Sequence, residues 1–384
     1  MNPESITNPP LGVVIFMLGG LAGAIFYMPF KKVKEWAWES YWLVYALIGL
    51  LVVPCVLAFT ASPNVMSVLR ASPGMELWYC YLCGAAWGLG GLTWGLMIRY
   101  LGVGLGLAIG CGLVSAAGTL VPKMLKGELS QLLQPGAGIV SLAAVFASLV
   151  GIVFVGMAGM SKEKELSDEE KKKTVAEFNF KKGLAVAIFS GLMSSAMGFG
   201  LQGGATIEKL ALTTAPATSA TWKGMPVLVM VLLGGFTVNF LWCVLLNLKN
   251  KTAGDYVRPE GPVLLANIVF AAVAGAIWCS QFICFKTGQP AMGRMDYVGW
   301  AVLMASQILF SSLLGIALGE WKGTGARTRS LLTIGILLLL ASAIFAGYSG
   351  YLGQREPKPA LTTSAVTDMR LGQCFSFNNL PTGA

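Results

Sequence analysis

Five side-chain amides stand inside stretches that are otherwise apolar: Gln202, Asn239, Asn267, Gln281 and Gln307. An amide carries two N–H donors and an acceptor oxygen, and leaving such a group buried without a partner costs about 1–3 kcal/mol. Each therefore either hydrogen-bonds a polar small molecule or ties two helices together, and residue type alone leaves both readings open. Gln281 and Gln307 rank first. Trp278 lies three residues before Gln281, a spacing that puts both on one helix face and offers a flat apolar surface beside an amide. Trp87 and Trp94, seven residues apart, also share a face, with packing or lipid contact as the competing reading. Tyr27 beside Pro29 marks a kink.

Other chemistry is excluded by what the chain lacks. With no histidine, the usual metal ligand and the usual proton shuttle are both missing. The eight cysteines mostly sit in apolar runs. Cys80 and Cys83 form a CxxC with no second pair beside it, so they read as small apolar side chains, and neither a metal nor a cofactor is expected. A membrane enzyme acting on a lipid-linked substrate would need carboxylates, histidines or a metal gathered at one membrane face. Here the acids outside one charged segment are scattered singly, so no enzyme is expected. The net charge of +9 reflects basic residues flanking apolar runs, not a nucleic-acid surface.

The elements that must position these residues follow from hydropathy. The chain is 55% hydrophobic and 12% charged, against about 25% charged in soluble domains. Ten apolar runs are long enough to cross a bilayer, at 11–30, 40–60, 75–98, 101–122, 136–159, 183–205, 222–246, 262–286, 297–318 and 330–352. An all-α polytopic membrane protein is the predicted fold class. Residues 161–182 hold seven lysines and six acids and read as a solvated linker between an N-terminal half (1–160) and a C-terminal half (183–352). The tail 353–384 is polar and reads as disordered. The start of the chain has no basic region of the kind that precedes a cleaved signal, so the first span is expected to be retained.

Loops 1–2, 3–4, 5–6, 7–8 and 9–10 hold 17 basic residues and the loops between them hold 7, which predicts the former in the cytoplasm and both termini outside. Trp36, Trp38 and Trp42 beside the first basic cluster suggest an interfacial belt. Two halves of five spans enter the membrane in opposite directions, as two inverted five-helix repeats do. The match of Gly20–Phe26 with Gly183–Phe189 at six of seven positions is a faint echo of that. Glycines four apart (Gly84/Gly88, Gly91/Gly95, Gly102/Gly106, Gly106/Gly110) allow helices to approach backbone to backbone.

Several segments resemble one family. Phe26-Tyr27-Met28-Pro29-Phe30-Lys31-Lys32-Val33-Lys34-Glu35-Trp36-Ala37-Trp38-Glu39, Gly84-Ala85-Ala86-Trp87-Gly88-Leu89-Gly90 and Arg99-Tyr100-Leu101-Gly102 are similar to the L-rhamnose–proton symporter family. So are Ala176-Glu177-Phe178-Asn179, Trp278 with Gln281-Phe282, Asp296-Tyr297 with Trp300, and Glu320-Trp321. The resemblance runs from Gly19 to Trp321 in one order. It implies a ten-span carrier of the drug/metabolite transporter superfamily in a bacterial inner membrane, importing a 6-deoxyhexose with a proton. A metabolite exporter or exchanger of that superfamily is the alternative. Gly91-Leu92-Thr93-Trp94-Gly95 departs from the Asn- and Tyr-containing version of enterobacterial members, which leaves the exact sugar open, and the missing histidines exclude a histidine relay.

Under that resemblance the amides become candidates for sugar hydroxyls and the tryptophans for the sugar's C–H face. The proton then needs a carboxylate. Glu39, Asp296 and Glu320 fall in family-like segments, whereas Glu76 and Glu208 do not. Asp296 ranks first because it begins span nine on the outer side, with a helix N-cap role or an ion pair with Arg294 as competing readings.

Overall fold

The computed structural model describes residues 7–101, 103–125, 133–165, 179–258, 261–319 and 321–355, and within them all regular structure is helical. Ten long helices follow in order: α1 (Pro9–Ile25), α2 (Trp38–Ala61), α3 (Gly74–Leu101), α4 (Val103–Leu125), α5 (Ala137–Glu165), α6 (Phe180–Gly203), α7 (Met225–Asn250), α8 (Pro262–Met292), α9 (Val298–Ala317) and α10 (Ala326–Arg355). Among the described residues nine stretches, containing every one of these helices except α4, are long and apolar enough to cross a membrane. α4 holds a shorter apolar stretch, Ile109–Met124. Glu320, residues 166–178 of the linker and the tail from 356 lie outside the described residues.

Local chemistry sets the ends. Asn8 Oδ1 caps α1 by accepting Leu11 N at 3.2 Å, with Pro9 and Pro10 in the first turn, where a missing N–H costs nothing. Asn179 caps α6 in the same way through Lys182 N. α6 breaks at Gly203–Gly204 and resumes as the short helix Ala205–Thr213, which the hydropathy reading had as the end of span six. α8 runs six residues past the predicted end of its span, to Met292, through Pro290.

The packing has a repeating pattern. α1 lies against α8 and α9; α6 lies against α3 and α4. α3 crosses α7, and α8 crosses α2. α5 pairs with α10. Both crossings are backbone-close: Gly84 faces the Val231 carbonyl and Gly234 the Tyr81 carbonyl, while Gly49 faces the Gly275 carbonyl and Gly275 the Tyr45 carbonyl. A side chain at any of these four positions would overlap main-chain atoms of the facing helix. Gly91 and Gly95, expected to pack in the same manner, have no neighbour within 4 Å of a β-carbon position.

Polar clamps tie the connections at the two ends of the bundle. At one end Asp255 Oδ2 accepts Ala37 N (2.9 Å) and Ser40 Oγ (2.7 Å), and Trp36 Nε1 donates to Arg258 O (2.9 Å). Glu165 accepts Gly325 N (2.8 Å) and Thr328 Oγ1 (2.5 Å), and Asn179 N donates to Tyr100 O. At the other end Asn64 Nδ2 donates to Ala211 O and Thr214 O, Ser62 bonds Thr218 at 2.7 Å, and Asn8 N donates to Ala291 O. The expected tryptophan belt is corrected here. Trp36 is buried on Tyr256, and the Trp42 indole bonds Asn239 Oδ1 (2.9 Å); Trp38, 38% exposed, stays at the surface.

Candidate functional site

Two of the amides meet. Gln281 on α8 and Gln307 on α9 both converge on Gly23 of α1, where a β-carbon would sit 2.7 Å from Gln281 Oε1 and 2.9 Å from Gln307 Cδ. The absence of a side chain at Gly23 makes room for both carboxamides. Gln281 is 2% exposed, yet among the described residues neither carboxamide has a hydrogen-bond partner. Unpartnered buried amides are costly unless something polar visits them.

An aromatic wall adjoins them. Trp278, one turn before Gln281, lies against Trp87 of α3 with ring centroids 5.0 Å apart and planes at 31°. Tyr45 and Phe282 meet Trp278 edge-on, at 5.9 and 4.6 Å. Phe282 continues the wall to Trp300, whose indole is anchored to Val114 O at 3.0 Å. Trp87 stands three residues after Gly84 and Trp278 three after Gly275, so the two glycine crossings present these rings to each other. Amides beside flat aromatic faces suit a small polyol with an apolar edge.

Toward the end of the bundle where α8 terminates, a cavity of about 320 Å³ is lined by Gln202, Glu208, Lys223, Lys286, Asp296 and Tyr297, among others. Gln202 is tied to the Gly118 and Gly198 carbonyls at 2.8 and 3.0 Å. Asp296 lies in the turn before α9, whose cap position is Tyr297, and its carboxylate has a partner of its own.

Elsewhere the expected site residues do structural work. Asn239 accepts the Trp42 indole and donates to Gly235 O (2.9 Å), bonding two helices. Asn267 embraces the Lys34 backbone, accepting its N–H at 3.0 Å and donating to its C=O at 2.7 Å. Trp94 donates to Ser194 Oγ at 2.9 Å, away from Trp278. Glu39, 5% exposed, accepts Asn250 Nδ2 and Thr252 Oγ1, both at 2.9 Å, within the clamp between loops 1–2 and 7–8.

Sequence reasoning missed the charges in the cavity. Lys286, 2% exposed inside α8, donates to Leu201 O at 2.9 Å and pairs with Glu208, whose second oxygen pairs with Lys223 at 3.0 Å. The signal was a lysine interrupting the apolar run Ile283-Cys284-Phe285-Lys286-Thr287-Gly288, which reads equally well as the end of a span.

The comparisons agree with this arrangement. Residues 6–350 match the family model described as L-rhamnose-proton symport protein (RhaT). The chain is 31% identical over 340 residues to the L-rhamnose-proton symporter of Yersinia pestis (strain Pestoides F), covering 88% of this chain and 97% of that protein. It is 30% identical over 340 residues to the L-rhamnose-proton symporter of Cronobacter sakazakii (strain ATCC BAA-894), covering 88% and 96%. With its membrane-spanning helices and a match over nearly its whole length, this multi-pass membrane protein belongs to the L-rhamnose–proton symporter family, a family of transporters.

Proposed function

We propose that this protein imports L-rhamnose or a closely related 6-deoxyhexose together with a proton, by alternating access across a bacterial inner membrane. The sugar lies between Gln281 and Gln307, which hydrogen-bond its hydroxyls, and the Trp278–Trp87 wall, which covers its C–H face and methyl group. The observation that carries this reading is the pair of unpartnered amides on Gly23 beside that wall.

The architecture that goes with it is ten spans in two inverted five-helix halves, 1–160 and 183–352, joined by the linker 161–182 in the cytoplasm, with both termini outside. The packing pattern supports it. Exchanging α1 with α6, α2 with α7, α3 with α8, α4 with α9 and α5 with α10 turns each principal contact into another observed contact. Gly84 and Gly275 then correspond, as do Trp87 and Trp278. Under the same exchange Gly20, against Ser306, corresponds to Gly191, against Leu113, so the heptapeptide match with Gly183 is out of register. The basic-residue asymmetry also sharpens: Lys223 and Lys286 belong to the ion-paired cavity, and removing them leaves 17 against 5.

The test is uptake of a panel of labelled deoxyhexoses into proteoliposomes, with and without an inwardly directed proton gradient. L-rhamnose or a near relative should accumulate only with the gradient. Uptake of none of them would overturn the substrate class.

A further inference from the structure

α8 links two places that the sugar reading leaves unconnected. Gln281 faces Gly23, and five residues on, about 7.5 Å along the axis, Lys286 is bonded to Glu208. The carboxylate sits on the short helix Ala205–Thr213, held from α8 by Lys286 and from the segment before α7 by Lys223. Glu208 and both lysines line the cavity of about 320 Å³. The cavity gives a proton a route to the carboxylate, whereas Lys286 itself is 2% exposed.

The surrounding charges make the arrangement bistable. Lys123 from the end of α4, 4.7 Å from the Tyr297 ring centroid, and Lys209 on the short helix itself add further cations to the cavity. Asp296, ahead of α9, is the other acid in it. From α3 come Cys80 and Glu76, the latter already accepting Thr206 N (2.8 Å) and Ile207 N (3.2 Å) at the start of the short helix. A buried ammonium deprived of its carboxylate is costly, so Glu208 cannot bind a proton and stay paired with an unmoved Lys286.

We propose that Glu208 carries the cotransported proton and that Lys286 competes with that proton for the carboxylate. The proposal rests on the symport reading above. A proton from the outer solution forms an O–H bond on Glu208 and the Lys286 contact breaks. Lys286 keeps its own proton and turns toward Asp296 across the cavity. The protein gains one positive charge, that of the transported proton, and loses it when Glu208 deprotonates on the inner side and the pair re-forms. Because Gln281 and Lys286 share α8, a sugar that draws α8 toward Gly23 and Gln307 also withdraws the competing ammonium. By linkage, proton and sugar then raise each other's affinity by the same factor.

The test compares L-rhamnose affinity against pH for the wild type, Glu208→Gln and Asp296→Asn in detergent, with counterflow and gradient-driven uptake in proteoliposomes. Wild-type affinity should fall up to tenfold per pH unit above the titration of the carboxyl. Glu208→Gln imitates the protonated state: its affinity should be flat with pH and its counterflow retained, with gradient-driven accumulation lost. Asp296→Asn should keep a pH slope and proton uptake. A Glu208→Gln protein with the wild-type slope and proton-driven accumulation overturns the proposal. Should Glu208→Gln not fold, infrared difference spectra of wild type and Asp296→Asn decide instead. L-rhamnose must convert a carboxylate band to a carboxylic-acid C=O band in both, and its absence from either refutes Glu208. Wild-type protein without L-rhamnose counterflow fails the sugar reading itself, a result separate from any change at Glu208.

Discussion

Gln281 and Asn267 are both buried amides on α8, and their partners separate their roles. Asn267 satisfies itself on the Lys34 backbone, whereas Gln281 has no partner among the described residues. Gln281→Ala should therefore weaken sugar binding by about 1–2 kcal/mol, roughly tenfold, with little change in Tm. Asn267→Ala should lower stability by about 1–3 kcal/mol, because it strands the Lys34 N–H and C=O, and leave affinity near wild type in the folded fraction. Isothermal titration calorimetry and thermal melts check the pair; unchanged affinity in Gln281→Ala would assign that amide to packing. The Trp278–Gln281 juxtaposition was legible from spacing alone, since residues three apart share a helix face. The Gly23 gap was not, because nothing in one helix's sequence says which glycine faces another helix's amides. Nor was the Glu208–Lys286 pair, because a lysine near the end of an apolar run looks the same whether it reaches solvent or a buried acid.

Helices α3 and α7, like α8 and α2, cross on glycine, and the crossings bring Trp87 and Trp278 together. At Gly84 the facing atom is the Val231 carbonyl, which is main chain and cannot rotate away. Gly84→Ala should destabilise by about 1–3 kcal/mol through overpacking, and it should impair transport by separating α3 from α7. Gly91→Ala, with open space around it, should match the wild type in both, and thermal melts with uptake assays check this. A Gly84→Ala protein as stable and active as Gly91→Ala would mean that the crossing is not tightly packed. At this scale hydropathy was a good guide, and the ten apolar runs all correspond to helices. It was blind where the chain bends within a run: the break at Gly204 and the short helix Ala205–Thr213 leave composition unchanged while moving Glu208 into the cavity.

For the whole molecule, the connections 1–2, 3–4, 5–6, 7–8 and 9–10 carry the basic excess and are clamped to one another at one end. A single cysteine at Lys251, in a background with the native cysteines replaced, should resist a membrane-impermeant maleimide in intact cells, whereas one at Met75, 83% exposed at the opposite end, should react. The reverse pattern would invert the orientation and make the charged cavity face the cytoplasm. The measurement that bears most directly on the central claim is proton movement driven by sugar. Proteoliposomes containing a trapped pH indicator, with no imposed gradient, are given external L-rhamnose. Coupled entry of sugar and proton predicts acidification of the lumen that a proton ionophore abolishes; labelled sugar entering with no change in luminal pH would contradict it.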